Sequence, residues 1–259
     1  MGAAPSREEA EHQALESPTK SSNETLIPIE HPKLEAKEAK AAPKIVPHNL
    51  EAITKEADDV DDLHQRPRSG ISLSNKKKKY WVDESGFNCF TVFAREFKIT
   101  WSDDPRYWNW MPLNDYSSEA GIEVACLQNV CWLEVLGKLD ASYLSPGVTY
   151  EVAFLVMMKD PLYGWHVPVN LRLVCPGGVS QDHKVSLNDS NLRNRWVELP
   201  VGTFATGNGL KGEIEFSMFE YGGGIWKRGL VIRGAVIRPV RLVVVDVHAQ
   251  VFVREVTSV

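Results

Sequence analysis

The first 79 residues of this 259-residue chain contain no phenylalanine, tyrosine or tryptophan. Residues 1–75 hold seven of the fifteen prolines, and their fourteen acidic and nine basic residues account for the whole net charge of -5. Such a segment cannot bury enough apolar surface to offset the entropy lost on ordering. The sequence therefore predicts a disordered, acidic, Pro-rich tail over residues 1–78, in which residues 6–17 and 48–63 can form short transient helices.

Cysteine and long apolar runs are also scarce. No two of the four cysteines form a CxxC pair; they are Cys89, Cys126, Cys131 and Cys175. We expect buried thiols rather than disulfides, and no metal site, because no histidine stands at ligand spacing from a cysteine pair. No apolar run reaches 18 residues and no apolar segment opens the chain, so neither a membrane span nor a secretory signal is expected. The start "MGAAPS" fits the loose pattern for myristoylation at Gly2 and leaves that modification open.

Motifs of catalysis and of cofactor binding are missing as well. The chain has no G-x-S-x-G, no H-E-x-x-H and no P-loop, and the glycines of "YGGGIWKRG" lack the Gly-Lys-Ser/Thr step that cradles a phosphate. His166, His183 and His248 stand in no recognisable acid–base setting. We therefore expect a protein that is not an enzyme and that needs no cofactor.

From Tyr80 onward the chain is rich in short segments that alternate apolar and polar residues. Alternation of this kind is seen in "EFKIT", "TYEVAFLVMM", "PVNLRLVC", "GEIEFSMF" and "GLVIRGAVIR". Turn signals such as "SPG", "CPGG" and "TGNG" separate these segments. Period-two alternation with frequent turns is typical of antiparallel sheets with one buried face. The sequence predicts an all-β antiparallel sandwich or barrel over residues 79–240.

Two boundaries flank this domain. The cluster Lys76 to Lys79 is either a nuclear-import signal or a charged edge that protects the following strand from aggregation. Residues 241–259 form a strand-like extension, "RLVVVDVHAQVFVREVTSV". This extension can add an edge strand, mediate self-association, or reflect a misread gene end.

The stretch "WSDDPRYWNW" gathers three of the eight tryptophans around an acidic, proline-containing turn. Trp101 continues the alternation of Phe97 and Ile99, which favours burial, whereas the turn makes Trp108 the better candidate for exposure. An exposed ring offers a large rigid contact area, and a carboxylate accepts charge-assisted hydrogen bonds. The stretch therefore indicates a surface that can bind a sugar, with core packing as the alternative.

A second loop, "FEYGGGIWKRG", repeats this combination with Glu220, Tyr221 and Trp226. Its three glycines allow a sharp turn or close approach to a ligand. The alternative is a hairpin turn flanked by strand residues.

These segments resemble the phloem protein 2 family, the Nictaba-like plant lectins. The resemblance covers about 160 residues, nearly the whole domain. It rests on six matching segments: "YWVDE" (80–84), "NCFTVFAREFKITWSDDPRYWNW" (88–110), "VCWLEVLGKLD" (130–140), "YEVAFLVMMKDPLYGWHVPVNLRLV" (150–174), "RWVELPVG" (195–202) and "GEIEFSMFEYGGGIWKRGLVIRGAVIRP" (212–239).

The resemblance implies a jelly-roll-like sandwich that binds N-acetylglucosamine oligomers, high-mannose glycans or N-glycan cores. It also implies a protein of the cytoplasm of phloem sieve elements or companion cells, or of the nucleus, with a part in stress and defence. The partners implied are glycoproteins, phloem filament protein and RNA. We also expect a homodimer to be able to form, which would multiply a modest affinity per site.

The family's binding residues match Trp101, Trp108, Glu213 and Glu220 in this chain, and Trp226 joins them from the second loop. A physical objection concerns the glutamates: on one straight strand they would lie about 23 Å apart at about 3.3 Å per residue, facing opposite sides. They cannot hold one monosaccharide unless the strand bends or ends between them. Glu220, beside the glycines, is therefore the preferred ligand, and Trp101 is expected to support the platform from below.

Three rival functions remain open. A structural phloem filament protein would keep the fold without a working sugar site. An RNA-binding protein would use "KKKK" and "WKRG", although residues 76–259 balance at twenty acidic and twenty basic residues and offer no basic stripe. A glycosidase would need two carboxyl groups roughly 5–10 Å apart, and the sequence does not say which acids meet.

Overall fold

The structure, a computed structural model, describes residues 47–59, 70–113 and 121–240. These residues form an all-β, jelly-roll-like antiparallel sandwich, which confirms the predicted fold class. The elements are α1 (Leu50–Thr54), β1 (Ile71–Leu73), β2 (Lys78–Val82), β3 (Asn88–Phe93), β4 (Lys98–Ile99), β5 (Trp108–Pro112), β6 (Glu123–Leu127), β7 (Leu133–Asp140), β8 (Thr149–Tyr163), β9 (Val169–Val174), β10 (Ser180–Val185), β11 (Val197–Ala205), β12 (Glu213–Glu220) and β13 (Arg228–Pro239), with 3-10 turns at Ala94–Glu96, Ala141–Tyr143 and Ser190–Leu192.

The strands form two sheets. The larger sheet is centred on β13, which pairs with β8 along one edge and with β3 and β6 along the other. Beyond these lie β2 and β1, β5, and β11. The smaller sheet has the order β10-β9-β12-β7-β4. Every pairing within both sheets is antiparallel.

Alternating side chains fill the space between the sheets, as the sequence pattern predicts. Phe154 of the larger sheet meets Phe216 of the smaller sheet and Phe97, which directly precedes β4, edge to face, with ring centroids 5.7–5.9 Å apart. Edge-to-face pairs at this spacing add to the stabilisation from area burial. Gly137 makes room for them, because a Cβ there would lie 2.1 Å from the Phe216 ring.

The ordered body begins earlier than the expected boundary at residue 79. Helix α1 lies within residues 48–63, where we expected a short transient helix, and strand β1 lies in the segment for which we expected disorder. Ile53 is completely buried, and the Asn88 side chain donates to the carbonyl of His48 over 2.7 Å. The boundary was wrong for residues 47–59 and 70–78, because a few aliphatic side chains suffice when the sheet supplies the apolar surface that covers them.

The lysine cluster lies on the β1–β2 turn and on β2. Lys78 pairs with Glu56 at 2.9 Å, and both Lys77 and Lys78 lie within 4 Å of carboxylate oxygens of Glu96. At least half of the cluster is thus engaged with acidic side chains of the same chain.

The four cysteines all lie among the described residues, and none of them forms a disulfide there. Cys89 and Cys126 are buried, and burial raises the pKa of Cys126. Within the described ranges no helix has the length and apolarity needed to cross a membrane, and no three His, Cys, Asp or Glu side chains gather as metal ligands. Gly2, the helix expected over residues 6–17, His248 and the extension 241–259 lie outside the described residues.

Candidate functional site

Three loops meet at one end of the sandwich, which we call the ring-bearing end: residues 100–107, 128–132 and 221–227. Backbone hydrogen bonds join them. The amide of Thr100 donates to the carbonyl of Glu134 over 3.1 Å, and that of Gln128 donates to the carbonyl of Tyr107 over 2.8 Å. Val130 and Lys227 exchange two further bonds of 3.2 and 2.7 Å. Side chains on these loops are therefore held in fixed relation to one another.

Four large aromatic side chains on these three loops are 42–48% exposed: Trp101, Trp132, Tyr221 and Trp226. We call them the aromatic surface. Large apolar groups exposed together on a folded domain are characteristic of a binding site. One of the four, Trp132, was not among the residues that the sequence singled out for contact with a ligand.

Trp132 is the end ring of a stack. Its indole lies on Tyr221, with centroids 4.4 Å apart and planes inclined by 15°. Tyr221 lies in turn on Phe219, at 5.5 Å, and the Arg172 guanidinium lies 5.2 Å from the Phe219 ring on the smaller sheet. A ring supported in this way has little freedom to lose when a ligand settles on it.

Trp101 is held by a tight turn. Its backbone has φ of 64°, the left-handed region, and its ring lies 5.0 Å from that of Tyr107. Asp104 fixes the turn by accepting from the Arg106 guanidinium over 2.6–3.0 Å. These hydrogen bonds hold the pKa of Asp104 below its ordinary value. We expected Trp101 to be buried by alternation; this was wrong, because β4 ends at Ile99 and the left-handed turn redirects the next side chains.

Glu134 connects the two tryptophan positions. One carboxylate oxygen accepts from the Thr100 hydroxyl over 2.7 Å and from the Trp132 indole N–H over 3.3 Å. The carboxylate is exposed and has further acceptor capacity. An anionic acceptor thus lies beside an exposed ring, the combination that the sequence indicated for other residues.

Trp108 does not have the predicted exposure. Its ring is 2% exposed and belongs to the main core. Its indole Nε1 has no hydrogen-bond acceptor among the described residues. The reason is that Trp108 opens β5 opposite Leu127 of β6, with its side chain on the inner face of the sheet. This indole supports the site from below, the role that we had expected of Trp101.

Glu220 is also inside. Its carboxylate forms an ion pair with Lys227, whose side chain is completely buried and also donates to the carbonyl of Ile225 over 2.8 Å. The other Glu220 oxygen accepts from the amide of Gly223 over 2.9 Å. Burial raises the pKa of Glu220, but the hydrogen bonds from Lys227 and Gly223 and the attraction of Lys227 outweigh it and lower the pKa below 4.5. The carboxylate we preferred as a sugar ligand thus closes the loop that carries Tyr221 and Trp226.

Glu213 lies at the opposite end of β12. The strand pairs with β7 continuously from Glu213 to Glu220, so it neither bends back nor ends between the two glutamates. The carboxylate of Glu213 is exposed and pairs with Lys138 at 2.7 Å. The structure therefore does not bring Glu213 to the ring-bearing end, where Trp101, Trp226 and Glu220 lie.

The arrangement can bind a flat, partly apolar ligand with a polar rim. The exposed faces of Trp101 and Trp132 offer rigid apolar area, and Glu134 offers charge-assisted hydrogen bonds. The missed residues had a signal in the sequence. In β7 the buried residues are Leu133, Val135, Gly137 and Leu139, so alternation places the side chains of Trp132 and Glu134 together on the outer face.

Comparison with known proteins adds independent information. The family described as Phloem protein 2 matches residues 87–239. A protein named Phloem Protein 2-like A1 from Arabidopsis thaliana is 45% identical over 224 residues, covering 83% of this chain and 90% of its own length. A protein named Lectin from Luffa acutangula is 42% identical over 204 residues, covering 75% of this chain and 95% of its own. The chain belongs to the phloem protein 2 family.

Proposed function

From this membership and from the ring-bearing end, we propose that the protein is a carbohydrate-binding protein without catalytic activity. The observation that carries the proposal is a pair of exposed, supported indoles at one end of the sandwich. Trp132 donates to the Glu134 carboxylate, and Trp101 follows Thr100, whose hydroxyl donates to the same carboxylate. A pyranose offers flat patches of C–H to such rings and hydroxyl groups to the carboxylate. The relative named Lectin agrees with this assignment.

The ligand class we propose is oligomers of N-acetylglucosamine, or the N-glycan core that contains this sugar. The family resemblance supports this choice, and the site is compatible with it: an acetamido group adds an apolar methyl and an amide to the groups that rings and carboxylates bind. Such a shallow surface buries little area, so we expect modest affinity per site, increased if the protein self-associates.

We assign the roles of the residues in the proposed site from how exposed or buried their side chains are. Trp101, Trp132 and Trp226 contact the ligand, and Glu134 accepts its hydroxyl hydrogens. Trp108 and Glu220 act from below: the first as core under the turn at residues 101–107, the second through the loop at residues 221–227. Glu213 has no part in this site.

A glycan array and isothermal titration calorimetry on the full chain test the proposal. We expect selective binding of N-acetylglucosamine oligomers by the wild type. Trp132→Ala should weaken this binding at least about tenfold, about 1.4 kcal/mol, because it removes the end ring of the stack. Trp81→Ala is a matched control, since this half-buried indole lies on β2 outside the three loops. The full chain is needed because α1 and β1 belong to the fold.

Several results would contradict the proposal. Absence of binding to any glycan by the folded wild type would favour the structural filament protein. Binding of RNA that weakens steeply with salt would favour a nucleic-acid-binding protein. Lys227 could not contribute to RNA binding, because its side chain is buried with Glu220.

A further inference from the structure

A polar cavity lies beside the aromatic surface and takes no part in the site proposed above. Its volume is about 170 Å³, and residues of two segments, 162–166 and 187–193, line it. The polar lining comes from His166, Asn188, Asp189 and Arg193, and the ring of Tyr163 forms part of the wall. No sequence pattern indicates this cavity, because its two walls come from segments more than twenty residues apart.

Strand register puts the cavity at the ring-bearing end. Arg228, which follows the loop at residues 221–227, pairs with Tyr163 at the end of β8. The carbonyl of Arg228 accepts from the indole N–H of Trp165 over 2.7 Å. At Gly164 the backbones touch, since a Cβ there would lie 2.0 Å from the carbonyl oxygen of Trp226. The cavity wall is thus packed directly against the base of Trp226.

Tyr163 connects the cavity with the other loops. Its ring is 42% exposed, and its hydroxyl donates to the side-chain oxygen of Asn129 over 2.8 Å. The amide of Asn129 reaches the carbonyl of Tyr107, whose ring supports Trp101. A ligand that extends from the aromatic surface toward β8 would therefore meet Tyr163 and then the cavity.

The chemistry of the cavity suits a small polar ring. The side chains of His166 and Asn188 are exposed and make no hydrogen bond to other described residues, so their donors and acceptors are available to a ligand. Leu162 and Leu187 supply the apolar part of the lining. The volume is well below the roughly 300–1,000 Å³ of pockets for drug-sized molecules. It fits one ring or one branch of a larger ligand better than a whole ligand.

We propose that this cavity is a second subsite, which takes a further sugar ring of the same glycan that lies on the aromatic surface. His166 and Asn188 would bind the hydroxyl or amide groups of that ring, and Tyr163 would support the link between the two subsites. The inference rests on the proposed carbohydrate-binding function and adds a determinant of ligand length or branching.

The test is calorimetric titration of the full chain with N-acetylglucosamine oligomers of increasing length. For the wild type we expect affinity to rise when the ligand becomes long enough to reach the cavity. The double variant His166→Ala/Asn188→Ala should lose this rise, so that its affinity for the longest oligomer is roughly three- to tenfold lower than that of the wild type. Its affinity for the shortest ligand should equal that of the wild type. Trp132→Ala should weaken binding at every length. Asn208→Ala, an exposed asparagine in the loop between β11 and β12, is the matched control and should behave as wild type.

The outcomes separate the two proposals. If the wild type binds oligomers but the double variant shows the same length dependence, the second subsite is refuted and the proposed function stands. If wild-type affinity does not depend on length, the subsite is refuted as well. If the folded wild type binds no oligomer, both proposals fall.

Discussion

The two ends of strand β12 carry the same kind of ion pair in opposite environments. At one end Glu213 and Lys138 pair in solvent, with side chains 57% and 42% exposed. At the other end Glu220 and Lys227 pair inside the protein, with side chains 5% and 0% exposed. A surface pair contributes little to stability, whereas a buried pair makes each partner dependent on the other. The comparison shows why identical residue types on one strand have different roles.

The largest effect should come from breaking the buried pair. We expect Glu220→Ala to lower the free energy of unfolding by about 3–5 kcal/mol, because it leaves the Lys227 ammonium buried without a counter-charge. The variant also removes the acceptor of the Gly223 amide. The loop that carries Tyr221 and Trp226 should then no longer be held in place, and glycan binding should weaken. Urea denaturation and calorimetric titration measure the two effects.

The double variant Glu220→Gln/Lys227→Met is the control for this experiment. Without charges the site no longer contains an unpaired ion, so most of the lost stability should return. A wild-type urea midpoint for Glu220→Ala would show that the pair is not buried in solution and that Glu220 is available to a ligand.

A second contrast of similar size lies within the ring-bearing end, between Trp108 and Trp101. Removing a buried indole creates a cavity, so Trp108→Ala should lower the free energy of unfolding by about 3–5 kcal/mol. Trp101→Ala removes an exposed ring and should cost less than about 1 kcal/mol while weakening glycan binding. Urea denaturation measures the loss in the free energy of unfolding for each variant. Equal losses would mean that the two rings are equally buried.

These two tryptophans also show how far the sequence could lead. Alternation correctly located the buried faces of β8, β9 and β12, and it would have placed Trp132 outward had it been extended backward from β7. It failed at Trp101. Strand β4 ends at Ile99, and Trp101 itself has a φ of 64°, so the alternation of the strand does not continue through this turn. No local pattern announces such a turn in a residue other than glycine.

The glutamates illustrate a different limit. Glu220 shares the parity of Ile214, Phe216 and Met218, so alternation does place it inward. A buried carboxylate is unfavourable without a partner, and no local pattern identifies that partner. The partner is Lys227, which a tight loop returns to the same place. Pairings of this kind depend on tertiary structure, which is why the fold was predictable and the inside of the site was not.

Acid should lower the free energy of unfolding by protonating Glu220 at the buried end of β12, and we expect this loss to be smaller than those caused by the substitutions above. The pKa of Glu220 in the folded protein is lowered below its ordinary value of 4.5. Such a carboxylate contributes stability that is present above pH 4.5 and is lost as the pH falls through the folded pKa. Glu56, whose pKa is also lowered against the effect of burial by its bonds from Tyr143, Lys78 and Ser74, adds a loss in the same direction.

The contribution of Glu220 can be isolated by comparison with Glu220→Gln/Lys227→Met. Urea midpoints measured from pH 7 to pH 3 should fall more for the wild type than for the double variant, because only the wild type protonates Glu220. Parallel curves for the two proteins would mean that the pair has no net effect on folding across this range.

The smallest effect is expected at the other end of the strand. Glu213→Gln removes one of two carboxylates that pair with Lys138, since Glu215 also lies 2.7 Å from its Nζ. The pKa of Lys138 is raised by hydrogen bonds to both glutamates, so the cation keeps a partner when one is lost. The melting temperature should change by less than about 2 °C, and glycan binding should match the wild type because Glu213 lies far from the aromatic surface. Loss of binding in a stable Glu213→Gln protein would place a sugar at this end of β12 and would require a second copy of the chain, or a second site, to bring it there.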